Sequence, residues 1–128
     1  MKKYIIFLIL ISASLFFNSC KYDFILPEEV PVIEPGGDPI SFESQIAPIF
    51  STGNKCTACH KTGGFASPDL SNSATVYSQI VPKYVDLASP ASSKIYTYST
   101  SGTHNNLKVS ATQSVLLLQW IKEGAKNN

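Results

Sequence analysis

The chain has 128 residues, enough for one domain and too few for two ordinary ones with linkers. Hydrophobic residues make up 44% and charged residues 15%, with a formal charge of +1 that excludes a nucleic-acid binder working by bulk positive charge. That charge is segregated: Lys2 and Lys3 lead the chain, Lys21 stands against Asp23, Glu28, Glu29, Glu34 and Asp38, and seven Lys after residue 40 face only Glu43, Asp69, Asp86 and Glu123.

The first element is an export segment. Lys2 and Lys3 form a charged n-region, Tyr4 to Phe17 is almost wholly apolar, and Asn18-Ser19 leads into Cys20. That is a signal peptide with a short h-region, not a membrane-spanning helix flanked on both sides. The run ending in Ser-Cys resembles a bacterial lipoprotein signal. The resemblance implies removal of residues 1–19, diacylation of Cys20 and acylation of its amine, and so a stable lipid anchor. Phe17, where an aliphatic residue is commoner, and Asn18 depart from that pattern. The alternative is an ordinary signal peptide with a free Cys20. The expected location is outside the cytoplasm, on a bacterial membrane, facing the periplasm or the cell surface. Lys21 after the Cys is not the Asp that retains some lipoproteins at the inner membrane.

Residues 20–40 read as the lipidated Cys and an acidic tether. Pro27, Pro31, Pro35 and Pro39 recur every four residues, each removing a backbone donor and disfavouring helix before it. At roughly 3.1 Å per residue an extended strip of this length spans about 60 Å.

The domain then runs over 41–128, and a chain that short buries only a modest core. Ser41 can cap a helix whose Phe42, Ile46, Ile49 and Phe50 form one apolar stripe. Pro48 interrupts it, which predicts a kink or a late start near Ser44. Ser51-Thr52-Gly53-Asn54 is a stop, and Cys56-Thr57-Ala58-Cys59-His60 follows at once. C-x-x-C-H is the c-type haem attachment motif. Each thiol adds to a haem vinyl group, and two intervening residues let one turn of chain straddle both positions. His60 is thereby brought beneath the iron as proximal ligand. Three alternatives compete: a Cys56–Cys59 disulfide, a zinc site using Cys56, Cys59, His60 and His104, and a free dithiol.

Gly63-Gly64 and Ser67-Pro68 mark a loop. Ser73 to Val81 predicts a short helix with Val76, Tyr77 and Ile80 inward. Ser89-Pro90 opens another, to about Tyr98. Ser110 begins the strongest helix, through about Gly124, with Val115, Leu118 and Ile121 in one row and Leu116 and Trp120 in another. No strand pattern is convincing, so the expected fold class is all-α.

A helix ending before C-x-x-C-H, the Pro68-Asp69-Leu70 segment, a Ser-x-x-Tyr turn and the terminal Trp120-Ile121-x-x-Gly124-Ala125 helix resemble class I cytochrome c domains, more closely the small haem domains of bacterial lipoproteins. The resemblance covers about residues 41–125. It implies a helical domain around one covalent haem c, with first and last helices crossed and Phe50 against Trp120 or its neighbours. Most such domains use a Met as second axial ligand, but the only Met here is Met1, inside the export segment. His104 stands near the family Met position and is the candidate distal ligand. An open sixth position or Lys108 are the alternatives. Lys55 and Lys61 flank the motif and could steer an acidic partner, or be solvated surface. Tyr96 and Tyr98 would touch haem or pack only in the core.

The resulting expectation is a monohaem, lipid-anchored, non-enzymatic electron carrier between redox partner proteins. Its alternative is a haem-based small-ligand sensor with an open or displaceable sixth position. No nucleophile stands beside a base.

Overall fold

A computed structural model describes residues 26–27, 29–34, 36–102, 104 and 107–128. The export segment and Cys20 lie outside the described residues. Within them the protein is helical, without a strand, and no helix is long and apolar enough to cross a membrane.

The first element answers the problem set by Pro48. A π-helical turn, Phe42–Ile46, is capped by the Ser41 hydroxyl accepting from the Ser44 amide. It runs directly into α1, Ala47–Ser51. The wide turn delivers Pro48 to the first turn of α1, where a missing N–H is not needed. The disturbance expected at Pro48 thus takes the form of a π-helical turn ahead of a short α-helix. Phe42, Ile46, Ile49 and Phe50 are all buried. A 3₁₀ turn, Thr52–Asn54, turns on Gly53 at φ +72° and hands the chain to the cysteine motif.

Helix α2, Val76–Ile80, is shorter than the expected Ser73–Val81, with Val76 and Ile80 buried. The helix expected from Ser89-Pro90 to Tyr98 is instead two pieces. A 3₁₀ turn, Pro90–Ser92, ends at extended Ser93, and α3, Lys94–Ser101, starts after it. Ser93 is buried because it does local work: its hydroxyl accepts from the Asp86 amide at 2.9 Å and donates to the Asp86 carbonyl at 3.3 Å. Those bonds anchor the preceding loop and compete with continued helix at this position. Gly102, at φ +72°, ends α3 in the left-handed conformation.

Helix α4, Ala111–Lys122, opens on a capping box: Ser110 and Gln113 each bond the other's backbone amide. Its buried row is Leu117, Trp120 and Ile121, while Val115, Leu116 and Leu118 are only half-buried. The expected rows were thus off by part of a turn, because six apolar residues among the seven from Val115 to Ile121 define no unique stripe. From the first helical segment the Phe42 ring meets Trp120, at 5.4 Å between centroids, and Phe50 lies in the same buried core; Tyr77 meets Trp120 from a third side at 6.5 Å. After Gly124, at φ +96°, the chain folds back over this core. Trp120 Nε1 donates to the Lys126 carbonyl at 2.8 Å, and the Tyr77 hydroxyl to that of Ala125 at 2.9 Å. The amide of Phe42 reaches the Asn128 side chain at 3.0 Å.

The stretch ahead of residue 41 also touches the domain. Ile40 is buried, and its amide donates to the Glu123 carboxylate at 2.8 Å. Ile33 packs on the core, and the Thr112 hydroxyl donates to the Glu29 carbonyl at 3.1 Å.

Candidate haem site

The cysteine motif is one helical turn: the amides of Cys59 and His60 both donate to the Cys56 carbonyl, at 3.2 and 2.9 Å. Cys56 is half-buried against the core, and burial pushes its thiol pKa up, against an opposing effect of Lys55. Both Cys56 and Cys59 are free thiols.

The turn aims His60 at a defined partner on each ring nitrogen. Nδ1 lies 2.9 Å from the Pro68 carbonyl. A carbonyl can only accept, so Nδ1 carries the proton and the Nε2 of the neutral ring presents a lone pair. That Nε2 lies 3.4 Å from Nε2 of His104. The ring centroids are 5.6 Å apart and the planes tilt by 32°. His104 is exposed and reaches this position from the segment between α3 and α4. Its own carbonyl accepts the Leu107 amide, and the Val109 amide donates to the Ser99 carbonyl at 3.0 Å, tying the far end of the segment to α3. The Tyr98 ring stands 5.9 Å from that of His104.

Both thiols and both imidazoles line one cavity of about 510 Å³. Its walls are mainly apolar: Ile49, Phe50, Leu70, Tyr84, Ile95, Leu107 and Val109. The charged lining residues are Lys55, Lys94 and Lys108, with no carboxylate among them. Tyr98 lines the cavity; Tyr96 instead packs against the core, and Lys61 stands outside the lining.

Asp69 sits at the foot of the loop leading back from the motif. It accepts from the Thr62 hydroxyl at 2.6 Å and from the Ser71 hydroxyl and amide at 2.7 and 2.9 Å. These bonds hold its carboxyl below its ordinary pKa.

The donor set fits a covalent haem. Such a group needs two thiols, an imidazole lone pair beneath the iron, an apolar wall and cations for its two carboxylates. All are present around one cavity, whose volume lies within the roughly 300–1,000 Å³ of cofactor pockets. Two imidazole–metal bonds of about 2.0 Å each need about 4 Å between nitrogens, so the opposed Nε2 atoms require only a small opening. A four-ligand zinc centre fits less well: among the described residues no three His, Cys, Asp or Glu side chains converge as ligands of one ion.

Sequence reasoning named Lys55 and Lys108 but missed the orienting role of the Pro68 carbonyl and the place of Lys94 in the lysine set. The first is a backbone atom with no residue signature. Lys94 and Lys108 are 14 positions apart, and only the return of the chain at Val109 onto α3 brings both to the cavity. No protein-family model, curated protein or solved structure matches the chain.

Proposed function

We propose that the chain is a monohaem c-type cytochrome of class I-like architecture, anchored by lipid at Cys20, that carries single electrons between redox proteins outside the cytoplasm. The observation that carries this reading is the opposition of His60 and His104 across a cavity that the Cys56 and Cys59 thiols also line. When bound, the haem supplies an iron that cycles between Fe(III) and Fe(II).

The protein's part follows from its own residues. Cys56 and Cys59 hold the cofactor covalently. Proton donation from His60 Nδ1 to Pro68 fixes the ring and raises the basicity of Nε2. His104 supplies the second imidazole. Ile49, Phe50, Leu70 and Ile95 exclude water, which keeps the reorganisation around a changing charge small. Lys55, Lys94 and Lys108 offer positive charge to the two carboxylates and to an acidic partner.

The absorption spectrum of the chain matured with haem, with its pyridine haemochrome, tests this reading. A haemochrome of the two-thioether type and a low-spin oxidised form are expected. Absence of covalent haem after co-expression with a haem-attachment system would overturn it.

One observation favours a second reading. His104 is exposed, so a small ligand could displace it, as in a haem-based sensor. Carbon monoxide binding to the reduced wild type at micromolar concentration would favour that reading.

A further inference from the structure

The loop from His60 to Ser71 is rooted by buried Pro68 and by Leu70 in the core, but its outer part has little apolar packing. Its tip contains Gly63 at φ +71°, and Phe65 projects into solvent, 88% exposed. Yet this loop must present one backbone oxygen, that of Pro68, to His60 Nδ1. Polar bonds at its base add to the burial of Pro68 and Leu70 in orienting that oxygen. The Leu70 amide donates to the His60 carbonyl at 3.0 Å. Asp69 ties both arms together, through Thr62 on one side and Ser71 on the other, and the Thr62 amide donates to Ser71 Oγ at 3.3 Å. Pro68 has its own φ locked by its ring. Immobilising Asp69 and Leu70 therefore fixes the Pro68–Asp69 peptide, whose oxygen is the acceptor.

We propose that Asp69 is a positioning residue: its clasp on Thr62 and Ser71 holds the Pro68 carbonyl on His60 and so sets the electron donation of that imidazole. A firmly held acceptor draws the Nδ1 proton outward, enriches Nε2 and favours Fe(III) over Fe(II). Loosening the clasp shifts the balance toward Fe(II). The effect on iron rests on the haem reading above; the effect on His60 does not.

The test separates geometry from charge. Thr62→Val removes a clasp bond and leaves the Asp69 charge. Asp69→Asn removes the charge and keeps an acceptor. Full-length holoprotein is poised at a fixed solution potential and its Fe(II)/Fe(III) ratio read by absorbance, while ¹H and ¹⁵N shifts report the His60 Nδ1–H bond in the reduced holoprotein and the ring tautomer in haem-free protein. In Thr62→Val and Asp69→Ala the ratio is expected to rise roughly threefold to tenfold, at or below the usual range of outer-shell effects. The Nδ1–H bond of His60 to Pro68 is expected to weaken, read as an upfield shift and faster exchange of that proton, with the melting transition still cooperative. A ratio that rises in Asp69→Asn but not in Thr62→Val means that only charge acts, and overturns the proposal. If no variant and no wild type carries haem, the haem reading fails by itself. The tautomer then decides: a His60 ring unchanged by Thr62→Val and Asp69→Ala overturns the positioning role.

Discussion

His60 and His104 are 44 residues apart in the chain and stand with their Nε2 atoms 3.4 Å from one another. Because Nδ1 of His60 is committed to Pro68, the facing nitrogen carries a lone pair in the neutral ring. Such an atom is satisfied by a donated proton or by a metal, and the two outcomes differ in the laboratory.

His104→Ala is expected to open the sixth position. The oxidised protein turns from low-spin to high-spin, and the reduced protein binds carbon monoxide, which the wild type resists. The wild type should lack the near-infrared band of sulfur–iron ligation and have a lower potential than a His/Met cytochrome of similar exposure. An unchanged spectrum and ligand affinity in the variant would assign the sixth position to another group.

Replacing Cys56 and Cys59 together with Ala is expected to abolish covalent haem, read as loss of haem staining on a denaturing gel. It should also lower the thermal midpoint strongly, since the cavity beneath Phe50 and Ile95 is then no longer filled permanently. A double variant melting like wild type would remove the cofactor from the core.

Leu117→Ala is expected to cost about 2–5 kcal/mol, as for other fully buried leucines. Val115→Ala, half-exposed on the same helix, should cost about 1 kcal/mol, the centre of the usual range. Urea unfolding of the two variants checks which row of α4 faces the core. Equal losses would contradict the packing.

The Asp69 carboxyl has its pKa lowered by bonds from Thr62 and Ser71. A depressed folded-state pKa contributes stability above the unfolded value, about 3.9, and loses it as pH falls through the folded value. The stability difference between wild type and Asp69→Asn is therefore expected to be constant from neutral pH down to roughly pH 5 and to shrink below pH 4. Denaturant midpoints across that range measure it; a difference that grows with acid has the wrong sign.

Cys20→Ala is expected to abolish acyl labelling and to release the protein from the membrane fraction or leave its signal uncut. Persistent labelling would place the lipid elsewhere.

Local chemistry was legible along the chain because it depends on neighbours in sequence. The Cys56–His60 turn, the Ser110 cap, the stop at Gly53 and the buried stripe from Phe42 to Phe50 each follow from residues a few positions apart. Even Pro48 announced a disturbance there. What the chain alone left open was how that disturbance resolves, as a π-helical turn, and which of the six large apolar positions in α4 face inward. Those depend on where Phe42, Tyr77 and Trp120 meet, a contact among three distant segments. The same division runs through the site. Cys56, Cys59 and His60 declare themselves by spacing, and His104 stood out only because the chain beyond Met1 has no methionine. The approach of His104 to His60 and the meeting of Lys94 and Lys108 at one cavity are products of chain return between Gly102 and Val109, while the Pro68 oxygen reaches Nδ1 through the loop that Asp69 closes. Backbone oxygens and dispersed lysines have no pattern in sequence, and only tertiary packing gives them a common address.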